Sequence, residues 1–213
     1  MKNSTQEPLT LALPKGRLTD QVQELFASLG LGFEFENRKL VARDRENRLK
    51  IFLVKNSDLP TYVNHGIAGM GVCGDDVLFE AGTPFCRLKT FSFGGTRMCI
   101  AGKKGDRFAP ADPALTVATK FTEFTRSYFH KRGLPVEVIK LNGSVELAPV
   151  LGLSRYIVDL VETGNTLKAN NLEVFDKLAD IKVHLIANPA YYKIHYKRIN
   201  QLVDILSKGD PDE

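Results

Sequence analysis

The segment best suited to chemistry runs from Asp159 to Asn170 and reads DLVETGNTLKAN. It follows the apolar run Tyr156-Ile157-Val158, which predicts a buried strand. Small, hydroxyl-bearing and amide residues then surround Gly164, which can adopt backbone conformations closed to other residues and can approach a ligand closely. A strand that ends in Thr-Gly-Asn-Thr therefore predicts a cradle for an anion.

The residues around that glycine indicate which anion the cradle would hold. The backbone amides from Gly164 to Leu167 and the hydroxyls of Thr163 and Thr166 predict contacts with a phosphate group. Asp159 and Glu162 lie just before them and can accept hydrogen bonds from the hydroxyls of a sugar. A phosphate beside a diol predicts a ribose phosphate.

The same residues are also typical of an ordinary turn between a strand and a loop, since Gly and Asn are common turn residues. The segment alone leaves both interpretations open. Together with the preceding GSVELAP, residues 143–149, it resembles the phosphoribosyl-pyrophosphate loop of the ATP phosphoribosyltransferase family. Members of that family perform the first committed step of histidine biosynthesis. This resemblance favours the functional interpretation.

A basic turn follows the first predicted strand. Lys15-Gly16-Arg17 comes directly after the apolar run from Leu9 to Leu13 and before a segment with helical spacing. In α/β folds, ligands bind where strands end, although basic residues beside a turn are more often simply solvated. The sequence LPKGRL, which contains this turn, resembles the opening motif of the same family.

Two later segments extend the resemblance, VKNSDLPTYV at residues 54–63 and GIAGMGVCGDDVL at residues 66–78. The backbone at Gly74-Asp75 is predicted to lie against a flat base, although a tight strand–helix junction would have the same residues. The resemblance covers nearly the whole chain from Leu9 to Leu206, with its motifs in the family's order.

Composition narrows the class of protein. The chain has 213 residues, of which 43% are hydrophobic and 25% are charged, as in ordinary globular proteins. A net charge of +4 is too small to indicate nucleic-acid binding but suits small polyanions. Cys73, Cys86 and Cys99 are odd in number and widely spaced, which predicts free thiols rather than disulfides or a zinc site. The polar N-terminal segment and the absence of a long apolar run predict a cytoplasmic protein without a membrane span.

Alternating strand and helix patterns predict an α/β fold with largely parallel sheets. The polar, proline-bearing segment from Lys103 to Pro113 is the expected crossing between two lobes. The resemblance implies a two-lobed fold like that of type II periplasmic binding proteins, with the active site in the interlobe cleft. On this view lobe I comprises residues 1–102 and 184–213, and lobe II comprises residues 103–183 with the phosphoribosyl-pyrophosphate loop.

The resemblance also implies the reaction. An adenine ring nitrogen of ATP attacks the anomeric carbon of phosphoribosyl pyrophosphate, and pyrophosphate leaves. No nucleophilic side chain is needed, so positioning and electrostatic stabilisation carry the rate. Magnesium is the expected cofactor, carried by the substrate's pyrophosphate, and no protein ligand for it is predicted.

Site residues are assigned by their match to the family. The expected catalytic residues are Lys15, Arg38 and Lys55. The expected ATP-binding residues are Lys15, Arg17, Gly74 and Asp75. The expected phosphoribosyl-pyrophosphate-binding residues are Asp159, Glu162, Thr163, Gly164, Asn165, Thr166 and Leu167. The family often has arginine at the position of Lys55, and Glu146 is either a site residue or a helix-capping one. The histidines show no ligand spacing and are expected to be structural or exposed.

The resemblance implies partners as well. The chain looks like the short form of the enzyme, which is a homodimer that assembles into a hetero-octamer with a regulatory subunit similar to histidyl-tRNA synthetase. Two alternatives remain open, a non-catalytic two-lobed binding module for a phosphorylated small molecule and a phosphoribosyltransferase for free bases. The latter enzymes usually have adjacent acidic residues before their Thr-Gly loop, whereas Leu160-Val161 separates Asp159 from Glu162 here.

Overall fold

A computed structural model of the chain describes residues 7–112 and 115–210. Strands and helices alternate along it, which confirms the predicted α/β class. The elements are, in chain order, β1 Leu9–Pro14, α1 Arg17–Ser28, β2 Val41–Arg43, β3 Leu49–Val54, α2 Leu59–Asn64, β4 Met70–Gly74, α3 Asp75–Ala81, β5 Cys86–Lys103, β6 Thr116–Thr119, α4 Thr122–His130, β7 Glu137–Lys140, α5 Leu147–Leu151, β8 Tyr156–Val161, α6 Asn165–Ala169, β9 Leu172–Ala187 and α7 Pro189–Gly209.

The chain packs as two compact units. The first unit comprises residues 1–94 and 182–213, and the second comprises residues 95–181. The two boundaries therefore fall inside the long strands β5 and β9, whereas the sequence predicts lobe boundaries after residues 102 and 183. The described part of the expected crossing, residues 103–112, lies within the second unit, and Pro113 lies outside the described residues.

The sheet of the first unit has a parallel centre with antiparallel flanks. Strand β1 lies between β3 and β4 and runs parallel to both. Strand β2 pairs antiparallel with β3, and β9 pairs antiparallel with β4. Buried residues of α1 and α7 pack on one face of this sheet, and those of α2 and α3 pack on the other. Because both faces are covered, the central strands read as nearly continuous apolar runs.

The second unit repeats this arrangement on a smaller scale. Strand β6 lies between β7 and β8 and runs parallel to both, while β5 pairs antiparallel with β8. On one face, Phe121 and Phe129 pack with Val117 and Val158. On the other face, residues of α6 and of the segment around α5 share a cluster with β6 and β8, namely Val145, Ala148, Leu167, Ala118, Ile157 and Val161.

Two predicted breaks between strands are absent from the described structure. The sequence predicts separate strands on either side of Gly94-Gly95, but β5 continues through both glycines. Likewise, one strand, β9, replaces the two that are expected over 172–178 and 183–187. A larger residue would not fit at position 94, because the φ of Gly94 is +71° and an added Cβ would lie 2.9 Å from a methyl of Leu18. Pairing with neighbouring strands, which is not a local property, decides where a strand ends.

The last helix begins as the sequence predicts. The side-chain oxygen of Asn188 accepts hydrogen bonds from the backbone N–H groups of Ala190 at 2.9 Å and Tyr191 at 3.1 Å. Pro189 follows at the first helical position, where its missing N–H costs nothing. Within the described ranges, none of the helices combines the length and the apolar character that a membrane crossing requires.

Candidate functional site

Lys15 and Lys55 finish two neighbouring parallel strands at the same edge of the first unit's sheet. Pro14 of β1 and Val54 of β3 are register partners, so the residues that follow them emerge side by side. The backbone N–H of Lys15 donates to the carbonyl of Val54 over 2.9 Å, which extends the pairing by one residue. The structure thus brings together two lysines that are 40 positions apart in the sequence.

Arg38 lies at the same edge, because β2 runs antiparallel to β3. Val41 pairs with Phe52, and the N–H of Leu53 donates to the carbonyl of Leu40 over 2.9 Å. The chain before Leu40 therefore approaches the end of β3 that precedes Lys55, and Arg38 lies in a turn closed by the N–H of Lys39 and the carbonyl of Glu36. Arg38 has a φ of +61°, a left-handed conformation that costs a non-glycine residue about 1–2 kcal/mol. Arg38 is exposed in a turn, and non-glycine residues in this conformation are found mainly at turns, ligand clamps and active sites.

Gly74 and Asp75 complete this edge. Strand β4 is the other parallel neighbour of β1, with Ala12 opposite Gly71, so Gly74 lies level with the end of β1. Asp75 begins α3, and its carboxylate already accepts hydrogen bonds from three donors of the first unit: Arg87, Lys182 and His184. The side chain of Asp75 is thus engaged with the protein, Gly74 is buried and Asp75 is half-buried, so a ligand at this turn would meet the backbone at Asp75.

The edge is positively charged. Lys15, Arg38 and Lys55 are all exposed, and none of them forms an ion pair within residues 7–112 and 115–210. Gly16 caps α1 with a φ of +114°, and Arg17 is the first residue of that helix. Lys15, Arg38 and Lys55, which have no acidic partner among the described residues, raise the local potential and favour a polyanionic ligand. Five of the six residues predicted for the first unit therefore lie along one sheet edge, namely Lys15, Arg38, Lys55, Gly74 and Asp75. The sixth, Arg17, follows Lys15 by two residues.

In the second unit, the predicted phosphate loop lies at the carboxyl ends of three parallel strands. Thr119 of β6 pairs with Lys140 of β7 and with Val158 of β8, so β6 and β7 finish level and β8 continues three residues further, to Val161. The loops that follow them belong to one edge. This is where ligands bind in open α/β sheets.

Gly164 shapes the loop itself. It has a φ of +75° and precedes α6, and an added Cβ would meet only a methyl of Val161 at 3.8 Å. A side chain would have space at this position, so glycine is favoured here because of the left-handed backbone conformation. The N–H of Asn165 lies 3.4 Å from the hydroxyl oxygen of Thr163, and the side chains of Thr163, Asn165 and Thr166 are exposed. Their hydroxyl and amide groups are accessible to a phosphate.

Leu167 differs from the other predicted phosphate-loop residues. Its side chain is buried and packs in the core cluster with Val161 and Ala118. Only its backbone N–H could contact a ligand, as the first N–H groups of a helix have no intrahelical acceptor. The side chain instead anchors the short helix α6 against the sheet, which fixes the loop before it.

Asp159 is the half-buried acid of this edge. Its Oδ1 accepts the backbone N–H of Leu160 at 2.9 Å. Burial raises the pKa of the Asp159 carboxyl above its ordinary value, the N–H of Leu160 and the ammonium of Lys120 act in the opposite direction, and Glu146 adds to the rise. Glu162, Asp159's predicted companion, is exposed.

Lys120 is a residue of this edge that the sequence interpretation missed. It follows β6 directly, its Nζ lies 4.7 Å above the ring of Phe121, and its charge acts on Asp159. Its placement, one residue after a short apolar strand, is the same signal that identified Lys15. Glu146, which the sequence left open, also acts on Asp159 and therefore lies near the loop.

The three cysteines form no disulfide with one another. All three are free, with Cys73 and Cys99 buried and Cys86 half-buried. Burial raises the pKa of both buried thiols, which keeps them in the protonated, unreactive form.

Comparison with known proteins decides what these two edges belong to. The family model described as ATP phosphoribosyltransferase matches residues 55–208. A protein of Clostridioides difficile (strain 630) named ATP phosphoribosyltransferase is 42% identical over 204 residues, which are 95% of this chain and 98% of that protein. A protein of the same name from Caldicellulosiruptor bescii is 47% identical over 205 residues, which cover 94% and 96% of the two chains.

The chain belongs to the ATP phosphoribosyltransferase family. Its structure agrees with that membership. The ATP phosphoribosyl transferase (HisG:HisZ) complex from Thermotoga maritima contains a chain that matches with a TM-score of 0.82 and 37% identity, over 94% of this chain and 98% of that one. The resemblance found in the sequence motifs is confirmed.

A second solved structure identifies the wider fold of this ATP phosphoribosyltransferase family member. The alkanesulfonate-binding protein SsuA from Xanthomonas axonopodis pv. citri matches with a TM-score of 0.61 over 96% of this chain and 73% of that one. At 14% identity the likeness shows the fold alone. It confirms the predicted periplasmic-binding-protein-like architecture.

Proposed function

We infer that the chain condenses ATP with phosphoribosyl pyrophosphate to give phosphoribosyl-ATP and pyrophosphate, the first step of histidine biosynthesis. The observation that carries this function is the identity of 42–47%, over nearly the full length, to proteins named ATP phosphoribosyltransferase. The activity is that of a pentosyltransferase, a glycosyltransferase-type enzyme.

The cationic edge of the first unit is our proposed site for the charged groups of the reaction. Lys15, Arg38 and Lys55 would neutralise the leaving pyrophosphate and the ATP phosphates, helped by Arg17. The exposure of Lys15, Arg38 and Lys55, and the lack of ion pairs to these three in the described ranges, support this role. The backbone at Gly74-Asp75 would lie against the adenine, since the Asp75 carboxylate is held by protein donors.

The loop of the second unit is our proposed site for the ribose phosphate. The hydroxyls of Thr163 and Thr166, with the backbone from Gly164 to Leu167, would hold the phosphate. Asp159 and Glu162 would accept hydrogen bonds from the ribose hydroxyls. The left-handed Gly164 and the exposed hydroxyls support this assignment.

These residues would act by positioning and electrostatics. The attacking nitrogen belongs to ATP, so the protein has no covalent step to perform. As the bond to pyrophosphate breaks, positive charge grows on the sugar ring and negative charge grows on the leaving group. Fixed cations stabilise the leaving group, because they need no reorganisation as its charge develops. Holding both substrates in line supplies much of the remaining rate.

Enzymes of this class need a divalent metal ion, and we propose magnesium. Mg²⁺ usually binds through one or two carboxylates together with substrate phosphates. The described residues contain no group of three or more His, Cys, Asp or Glu side chains that could hold an ion. The ion would therefore be held mainly by pyrophosphate oxygens. When bound, it would neutralise charge on the leaving group.

The proposed partner is a regulatory subunit similar to histidyl-tRNA synthetase. The matching chain from Thermotoga maritima belongs to a HisG:HisZ complex, and it is matched over 98% of its length. We propose that this chain forms a homodimer that assembles into a comparable hetero-octamer. Feedback inhibition by histidine would then require the partner. We also propose the cytoplasm as its location, where ATP and phosphoribosyl pyrophosphate are available.

The test is a direct assay with purified chain, ATP, phosphoribosyl pyrophosphate and magnesium, with and without a candidate regulatory subunit. We expect phosphoribosyl-ATP to accumulate, no product when either substrate is omitted, and no product when free adenine replaces ATP. Binding of phosphoribosyl pyrophosphate without turnover, even with the partner, would support the binding-module alternative. Product from free adenine would support the free-base alternative. Strong histidine inhibition of the isolated chain would contradict the proposed dependence on a partner.

A further inference from the structure

A hydrogen-bond network around Asp75 has no assigned role in the proposed reaction. Oδ1 of Asp75 accepts from Nε2 of His184 at 2.9 Å and from Nη1 of Arg87 at 2.8 Å. Oδ2 accepts the backbone N–H of Lys182 at 3.0 Å. On its other side, Nδ1 of His184 lies 3.0 Å from the hydroxyl oxygen of Thr90. All of these residues belong to the first unit.

His184 is the centre of that network. It is only 5% exposed, and it lies in β9 opposite Cys73 of β4. A carboxylate oxygen can only accept, so Nε2 of His184 carries the proton of the bond to Asp75. In the neutral ring Nδ1 then accepts from the hydroxyl of Thr90. One buried imidazole thus joins β5 and β9 to the first residue of α3, and both of its nitrogens are satisfied.

The turn before α3 needs such external support. Gly74 has φ −81° and ψ 162°, an extended backbone that any residue can adopt, and no side chain caps the helix. Gly74 itself is held by its pairing with Val183 of β9, but no side-chain cap fixes the first turn of α3. The carboxylate of Asp75, held by donors from β5 and β9, supplies that restraint.

We propose that His184 is a positioning residue for ATP. Through the carboxylate of Asp75 it holds the Gly74-Asp75 backbone in the place where the adenine would lie. This inference rests on the proposed function, which assigns that backbone to ATP. His184 itself touches no substrate, and its effect is on the binding of one substrate and not of the other.

The two side chains that hold Asp75 differ in their surroundings. The side chain of Arg87 is 56% exposed, so its ion pair with Asp75 is screened by water and contributes little. The bond from the buried His184 is protected from water and should carry most of the restraint. We therefore expect the effect on ATP binding to decrease in the order His184→Ala, Thr90→Val, Arg87→Ala.

The experiment measures the KM for each substrate, kcat and the thermal midpoint for these three variants, for His184→Gln and for the control His130→Ala. His130 is an exposed histidine at the end of α4, in the second unit. We expect His184→Ala to raise the KM for ATP about tenfold, the factor that one lost hydrogen bond to a charged group gives. The KM for phosphoribosyl pyrophosphate should stay within about twofold, and the control should match the wild type. His184→Gln should recover part of the loss, because its amide can donate to Asp75.

The outcomes separate this inference from the proposed function. If the wild type makes no phosphoribosyl-ATP, the proposed function fails. If the wild type is active but the KM for ATP is unchanged in His184→Ala, or both KM values rise together as the thermal midpoint falls, the positioning role is wrong. Should His184→Ala fail to fold, Thr90→Val decides, since it keeps the imidazole and removes the hydroxyl that contacts Nδ1. An unchanged KM for ATP in Thr90→Val would overturn the proposal.

Discussion

The backbone N–H of Lys15 donates to the carbonyl of Val54 over 2.9 Å, one residue beyond the last register pair of β1 and β3. This bond sets Lys15 beside Lys55 at the edge of the first unit's sheet. Both lysine side chains are exposed and have no acidic partner among the described residues. Unpaired like charges at one edge of a sheet favour the binding of a polyphosphate there.

Lys15→Ala and Lys55→Ala should each lower kcat/KM about 100-fold, because each removes a fixed charge that stabilises the leaving group. The double variant should lose less than the product of the two losses, as neighbouring charges act on the same phosphate oxygens. Steady-state kinetics on the wild type, the two single variants and the double variant measures both the losses and their coupling. Lys193→Ala, an exposed lysine of α7, is the matched control and should keep wild-type rates. Full activity in either single variant would remove that lysine from the site.

Arg38→Gly should abolish activity while leaving the protein at least as stable as the wild type. Glycine relieves the strain of a positive φ, worth about 1–2 kcal/mol, and adds about 0.5–1 kcal/mol of unfolded-state entropy. The free energy of unfolding in urea, beside kcat/KM, measures both effects. Lys39→Ala, the exposed neighbour of Arg38 that pairs with Glu36, should change neither quantity appreciably. A destabilised Arg38→Gly would mean that the side chain of Arg38 is structural.

Gly164→Ala should raise the KM for phosphoribosyl pyrophosphate at least tenfold and leave the KM for ATP nearly unchanged. The added methyl has space, so the cost comes from the left-handed φ of +75°, about 1–2 kcal/mol. The loop would relax and move its amides away from the phosphate. Gly133→Ala is the control, since Gly133 has a φ of +67° and open space at the end of α4. It should lose similar stability and keep both KM values. An equal KM for phosphoribosyl pyrophosphate in Gly164→Ala and Gly133→Ala would count against the phosphate cradle at Gly164.

Asp159→Asn should stabilise the fold at neutral pH and impair the binding of phosphoribosyl pyrophosphate. Burial raises the pKa of Asp159 above its unfolded value, so the folded state binds more protons than the unfolded state between those two values. Stability therefore falls as the pH rises through that window, and the ionised carboxylate is a net cost above it. The free energy of unfolding that Asp159→Asn gains over the wild type should accordingly shrink as the pH is lowered towards the ordinary pKa range of a carboxyl group. Urea unfolding of both proteins between acid and neutral pH checks this, and Glu137→Gln, an exposed acid of β7, serves as the control.

Asp210→Ala should destabilise the first unit by about 3–5 kcal/mol, because it removes the carboxylate that neutralises the buried ammonium of Lys89. Nζ of Lys89 lies 3.4 Å from Oδ2 of Asp210, and the two side chains are 1% and 5% exposed. Asp180→Ala breaks a Lys–Asp pair at 2.9 Å whose side chains are 50% and 64% exposed, and should cost less than about 1 kcal/mol. Thermal unfolding compares the two variants. Similar losses for both would show that burial of the Lys89–Asp210 pair has no special weight.

The sequence sufficed for the local features of this protein. The apolar runs of β1, β3 and β8, the proline-led helix after Asn188 and the turn at Gly164 each follow from residues within a few positions of one another. The family resemblance rested on such local segments as well, and it predicted both the fold class and the function. The order of the motifs along the chain carried that information without any knowledge of contacts.

Features that depend on distant residues could not be predicted in this way. The unit boundaries lie inside β5, which continues through Gly94 and Gly95, and inside β9. Lys120 became a residue of the loop's edge only because β6 ends opposite Val158, which places Lys120 level with Asp159. The buried pair Lys89–Asp210 joins residues 121 positions apart.

Local chemistry determined which residues could bind phosphate, because the backbone freedom of a glycine and the charge of a lysine are properties of single residues. Tertiary structure decided which of them act together. Sheet register placed Arg38, Lys55 and Lys15 at one edge. Packing turned the side chain of Leu167 away from any ligand, and a histidine of β9 came to hold Asp75. These outcomes depend on which strands pair and in which register, and that choice minimises the free energy of the whole chain and not of any segment.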